Sequence, residues 1–141
     1  MLLRIYEETK TIAVVGASTT PGKPGHDIPR YLQSQGFRII PVNPRGGEIL
    51  GERSYPFLRD VDEHIDVVDA FRPPEEAEGI ARDAIALGVG VLWFQPGTHT
   101  EEAASLARDA GLTVVTGRCM GVTHGWLRLG PGPHNASAAV R

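Results

Sequence analysis

Short apolar runs rich in β-branched residues alternate along the chain with stretches where apolar residues recur every three or four positions. Thr11-Ile-Ala-Val-Val-Gly-Ala is continuous and interrupted only by glycine near its end, which reads as a strand buried on both faces. After a Gly/Pro-rich turn, Ile28, Tyr31 and Leu32 fall at i, i+3 and i+4, so a helix is predicted over roughly 25–35, with Gly36 placed to end it. Phe37-Arg-Ile-Ile-Pro-Val-Asn predicts a second strand, and Pro41 inside it argues for an edge position or an early end. Residues 44–64 are polar and turn-rich, with room for a short helix near Leu58. Asp66-Val-Val-Asp-Ala-Phe predicts a third strand, and Pro73-Pro74 the first turn of a helix whose apolar stripe is Ala77, Ile80, Ala81, Ala84 and Ile85. A fourth strand follows in Val89-Gly-Val-Leu-Trp-Phe-Gln, with Trp93 and Phe94 as core. A helix over 101–110 packs Ala103, Ala104, Leu106 and Ala107 inward, and Leu112-Thr-Val-Val-Thr predicts a fifth strand.

Five buried strands separated by helices imply a parallel sheet covered on both faces. With right-handed crossovers the expected fold class is α/β: a doubly wound, Rossmann-like, five-stranded parallel sheet occupying residues 1–128. The segment 129–141, rich in glycine, proline and small polar residues, has little to bury and reads as a flexible tail. No internal repeat or domain boundary interrupts this plan.

Composition narrows the function classes. A length of 141 residues suits one domain that needs neither disulfide nor metal to stabilise its core. A formal charge of −3 argues against non-specific nucleic-acid or membrane-surface binding, which needs surplus cations. No apolar run approaches the ~20 residues of a membrane span, and the acidic amino terminus does not read as a signal peptide. The one cysteine, Cys119, cannot form an internal disulfide, so a reducing cytoplasm is the expected compartment. The five histidines show no metal-ligand spacing, and the paired glutamates 75–76 and 101–102 open helices, where they favour the helix dipole.

Open parallel sheets bind ligands beyond the carboxyl ends of their strands, beside the switch point. That rule selects Gly16, Ala17 and Ser18; Asn43, Pro44 and Arg45; Phe71 and Arg72; Gln95, Pro96 and Gly97; and Cys119 near the end of strand five. The first turn, Gly16-Ala-Ser-Thr-Thr-Pro-Gly-Lys-Pro-Gly, is glycine-rich and opens a helix, so backbone N–H groups can converge on a phosphate, with the Ser18 hydroxyl and Lys23 beside it. A plain tight turn is the competing reading. A dinucleotide fingerprint would need glycine at Ser18 and Pro21, and strand two ends in Val42-Asn-Pro-Arg45 without the acid that holds an NAD ribose. Arg45 suits an additional ribose phosphate, as in NADP or coenzyme A.

These segments resemble the CoA-binding proteins of the succinyl-CoA synthetase α-subunit type, in particular small stand-alone bacterial CoA-binding domains. The likeness is carried by Val14-Val-Gly-Ala-Ser, Lys23-Pro, Gly36-Phe-Arg-Ile-Ile-Pro-Val-Asn-Pro, Glu48-Ile-Leu-Gly-Glu, Val67-Val-Asp-Ala-Phe-Arg, Val91-Leu-Trp-Phe-Gln-Pro-Gly and Gly117-Arg-Cys. It implies a CoA pyrophosphate on Gly16–Ser18 and the 3′-phosphate near Lys23 or Arg45. Adenosine would then lie against Val42, Asn43 and Pro44, with Phe71, Arg72, Gln95, Pro96 and Gly97 lining the way to the pantetheine. In the synthetases a second domain supplies the histidine that is phosphorylated, so synthetase activity is not expected of this domain on its own.

Several of these residues also suit an ordinary structural role. Arg72 suits a ligand or an ion pair with Glu75 or Glu76, Arg45 a phosphate or solvent, and Cys119 thiol chemistry with CoA or simple burial. Trp126 suits a cap on the core or a subunit contact. The expectation is a CoA- or acyl-CoA-binding protein with no catalytic residues of its own and no bound metal, whose partner is a small molecule. A protein partner or a second copy of the chain stays open. So do two alternatives: an NADP-linked oxidoreductase, and a CoA-sensing module that docks on a separate catalytic chain.

Overall fold

The computed structural model describes residues 1–131, so most of the expected tail, 132–141, lies outside the described residues. Helix α1 (Leu2–Glu8) leads into β1 (Thr11–Val15), α2 (Pro24–Ser34) and β2 (Arg38–Val42). A miniature hairpin, β3 (Glu48–Ile49) and β4 (Glu52–Arg53), and one 3-10 turn at Leu58–Asp60 precede β5 (Val67–Ala70). Then come α3 (Ala77–Leu87), β6 (Val91–Phe94), α4 (Glu101–Asp109), β7 (Thr113–Val115) and α5 (Met120–Trp126).

All five expected strands form, and they pair in parallel in the order β2-β1-β5-β6-β7. The chain steps outward from β1 to β2 and then crosses back to β5, so the direction of winding reverses beside β1. This is a doubly wound α/β sheet. Strand alternation splits the core in two. Ala13, Val15, Ile40, Val42, Val68, Ala70, Leu92 and Phe94 pack against α3 and α4. Ile12, Val14, Ile39, Val67, Trp93 and Val115 face Tyr6 of α1, Leu32 of α2 and Met120 of α5. Each fully buried aliphatic or aromatic side chain contributes about 1.5–3 kcal/mol.

Pro41 stands on the edge strand, as its lack of an N–H requires. Its carbonyl accepts the Tyr55 N–H at 2.9 Å, and the Asn43 N–H donates to the Tyr55 carbonyl at 2.9 Å. The strands are two or three residues shorter than the apolar runs that predicted them, although single backbone hydrogen bonds from Gly16, Asp66, Phe71 and Gln95 continue the pairing beyond their ends. The short helix expected near Leu58 is one 3-10 turn. Three elements had no counterpart in the periodicity: α1, α5 and the β3–β4 hairpin.

Candidate functional site

The chain leaves β1 at Gly16 with φ +93, and a Cβ there would lie 2.8 Å from Arg72 Cδ and 3.2 Å from the Phe71 carbonyl carbon. Only glycine accepts both that conformation and that neighbour. The Gly16 N–H donates to the Val42 carbonyl at 3.1 Å, and the Ser18 N–H to the Gly25 carbonyl at 3.0 Å, which folds the turn back onto the start of α2. Gly25 permits this approach, since a Cβ on it would fall 2.6 Å from the Gly16 carbonyl oxygen. Asn43 fastens the turn to the end of β2: its Nδ2 donates to the Ala17 carbonyl at 2.8 Å and its Oδ1 accepts the Arg45 N–H at 2.8 Å. Asn43 therefore orients the turn with its side chain, and only its remaining surface faces outward.

The start of α2 is left open. Its N-cap is Lys23, whose side chain makes no capping bond, and Pro24 follows. The N–H groups of Ala17, Thr19 and Gly25 meet no acceptor among the described residues. Ser18 Oγ accepts the Thr20 N–H at 3.0 Å, which leaves its hydroxyl proton to be donated elsewhere. Uncapped donors at a helix N-terminus, with the helix dipole behind them, form an anion cradle.

This turn forms one wall of a cavity of about 890 Å³, within the range of about 300–1,000 Å³ typical of small-molecule sites. Gly16, Ala17, Ser18, Lys23, Val42, Asn43, Pro44, Arg45, Phe71 and Arg72 all line it. The opposite wall was not foreseen: Pro56, Phe57 and Leu58 from the loop after the hairpin, and Glu75, Glu76, Gly79, Ile80 and Asp83 at the start and flank of α3. In sequence these read as loop and as the polar side of a helix. The one available signal was Phe57, a bulky aromatic in a polar stretch, which is 61% exposed at the rim.

Gln95, Pro96, Gly97 and Cys119 do not line this cavity. They lie further along the same edge of the sheet, after β6 and β7. Gln95 is buried, and its Oε1 accepts the Met120 N–H at 3.0 Å, so its side chain starts α5. Cys119 is the N-cap residue of α5 and is partly exposed. Trp126 does not cap the core but stands 74% exposed.

Lys23 and Arg45 have no carboxylate partner among the described residues. Arg72 does: Nε and Nη2 both donate to Glu76 Oε2, at 3.0 and 2.7 Å. Asp83 is held by Arg59 at 2.6 Å. His26 contacts Asp27 at 3.0 Å, and that bond, helped by the Gly22 N–H, holds the Asp27 carboxyl below the usual carboxylate range. Among the described residues no group of His, Cys, Asp and Glu side chains could hold a metal ion, and no helix is long and apolar enough to cross a membrane.

A family model described as a CoA binding domain matches residues 10–125. The chain belongs to this family of CoA-binding domains. The uncharacterized Bacillus subtilis (strain 168) protein YneT is 37% identical over 120 residues, which cover 85% of this CoA-binding domain protein and 89% of YneT. A solved structure from Thermus thermophilus is 42% identical, with a TM-score of 0.84, and the match covers 89% of this chain and 96% of that one. An ADP-forming acetate–CoA ligase of Methanocaldococcus jannaschii is 25% identical over 90% of this chain, yet the match spans only 19% of the ligase. The CoA-binding domain therefore occurs both at nearly the length of the chain and as a minor part of a much longer ligase.

Proposed function

We propose that this protein binds coenzyme A or an acyl-CoA in the cavity over β2, β1 and β5. The diphosphate lies on the turn from Gly16 to Gly25, and the 3′-phosphate lies between Lys23 and Arg45. The observation that carries this reading is the uncapped N-terminus of α2 with two cations of the same cavity left without carboxylate partners among the described residues. Those charges match a ligand that carries phosphate at two separate places. Pro44 and Phe57 offer apolar surface for the adenine. The family match supports the same ligand class.

A thermal-shift titration with CoA, dephospho-CoA, NADP and NAD tests it. At 100 times its dissociation constant a ligand adds about 2.7 kcal/mol to stability, several degrees for a domain of this size. CoA is expected to shift the midpoint more than dephospho-CoA, and Lys23→Ala with Arg45→Ala to lose about tenfold or more in CoA affinity while changing dephospho-CoA little. Equal losses for both ligands would undo the 3′-phosphate assignment, and a shift with NADP alone would replace CoA by a dinucleotide.

A second reading has its own support. The match spans only 19% of the M. jannaschii ligase, so in that relative most of the chain lies outside the matched region. On this reading the bound thioester is presented to a separate catalytic chain. Capture of a partner from native extract that depends on added CoA would support it.

A further inference from the structure

We propose that Glu76 competes with the ligand for Arg72: its carboxylate holds the Arg72 guanidinium aside until a diphosphate ester on the Gly16–Gly25 turn takes it over. The inference rests on the cavity being the diphosphate site and names a residue that sets how readily that site is filled. Two observations carry it. The stem of Arg72 lies over the turn, its Cδ and Cγ 2.8 and 3.2 Å from where a Gly16 Cβ would be. The tip is held differently, with Nε and Nη2 converging on a single oxygen of Glu76. Two carboxylate lone-pair sites and several guanidinium N–H groups therefore remain unused in this pair.

Both side chains are about half exposed, 46% and 47%, so rotating the tip away from Glu76 gives up little burial. An exposed i,i+4 pair of this kind is weak. A diphosphate carries more charge than one carboxylate and accepts the guanidinium fork at two oxygens, which makes it the stronger partner at short range. Glu75 lines the same cavity beside Glu76 and forms no ion pair among the described residues, so it contributes field without holding a cation. It is the internal control.

Calorimetric titration of CoA and dephospho-CoA into wild type, Glu76→Gln, Glu75→Gln, Arg72→Met and the Glu76→Gln/Arg72→Met double variant tests the proposal. Arg72→Met keeps the stem over Gly16 and removes the charge. Glu76→Gln is expected to tighten both ligands by about two- to fivefold, the range an exposed pair can withhold, and by more than Glu75→Gln does. Arg72→Met is expected to weaken both ligands, and in its background Glu76→Gln is expected to gain no more than Glu75→Gln does alone. Equal gains from the two glutamates, or a Glu76→Gln gain that survives in Arg72→Met, would show plain repulsion and overturn the competition. A gain confined to CoA would move Arg72 to the 3′-phosphate and overturn the diphosphate assignment. If wild type binds neither ligand, the reading of the cavity falls first and this proposal with it.

Discussion

Both carboxylate oxygens of Asp69 are buried without a hydrogen-bond partner among the described residues, at the centre of the sheet between Val14 and Trp93. Burial holds this carboxyl well above the usual carboxylate range. The folded protein thus keeps a proton that the unfolded chain releases near pH 4. The associated stability is fully present below about pH 4 and is lost as pH rises toward the folded-state value. Asp69→Asn keeps the shape and removes the ionisation. In urea unfolding the variant is expected to gain on wild type from pH 4 upward, by at most about 1.4 kcal/mol per pH unit. Parallel profiles would show that the carboxyl titrates as in water. None of this was legible in the sequence, where Asp69 is one polar letter in an apolar run and nothing indicates whether a partner will fold over it. Gly16 was legible, because a glycine closing a buried strand before a helix has few other uses. Arg72 was legible in its place after β5 and in an ion pair with Glu75 or Glu76 as one of two alternatives, but which glutamate it holds depends on a 3-10 turn that brings residues 72 and 76 together.

Two helix starts differ in how they are capped, and the difference fits the binding site proposed at one of them. Helix α4 is capped by Thr100, whose side chain accepts the Ala103 N–H at 3.0 Å. Helix α2 begins at Lys23, in the extended conformation that a capping residue adopts, with no capping bond. Lys23→Asp is therefore expected to cap α2 and stabilise the protein by about 1 kcal/mol, a few degrees in the thermal midpoint. The same change places a carboxylate where a phosphate is proposed, so CoA affinity is expected to fall. A variant that gained neither stability nor lost affinity would mean that this helix end serves neither purpose. The helices of strong period, α2, α3 and α4, could be read from their apolar stripes. Helix α5 could not, because Met120-Gly-Val-Thr-His-Gly-Trp looks too rich in glycine. Its glycines face α2 closely: a Cβ on Gly121 would lie 2.9 Å from Ile28 Cγ2, and one on Gly125 3.4 Å from the Tyr31 hydroxyl. Tertiary packing overrides propensity there, and Tyr31 adds a 2.8 Å hydrogen bond to His124.

At the scale of the whole molecule the switch point beside β1 was legible, since five strands in series with helical crossovers leave few topologies. The extent of the cavity was not, because its far wall comes from the loop around Phe57 and the flank of α3, which only the completed sheet brings opposite the Gly16–Gly25 turn. The two tryptophans report on this organisation from opposite environments: Trp93 is fully buried and Trp126 is 74% exposed. Acrylamide is expected to quench one emitting population and spare the other, and Trp126→Phe to abolish the accessible one. Uniform quenching would place Trp93 near solvent and contradict the two-faced core. A last consequence lies at the open side of the sheet. On β2 the outward backbone groups at Pro41 have no N–H to offer, and the carbonyl is taken by Tyr55, which also accepts from Asn43. A strand of another molecule arriving there finds little ladder to extend. The edge proline thus acts against cross-β aggregation, a protection that Pro41→Val would weaken by restoring an outward donor.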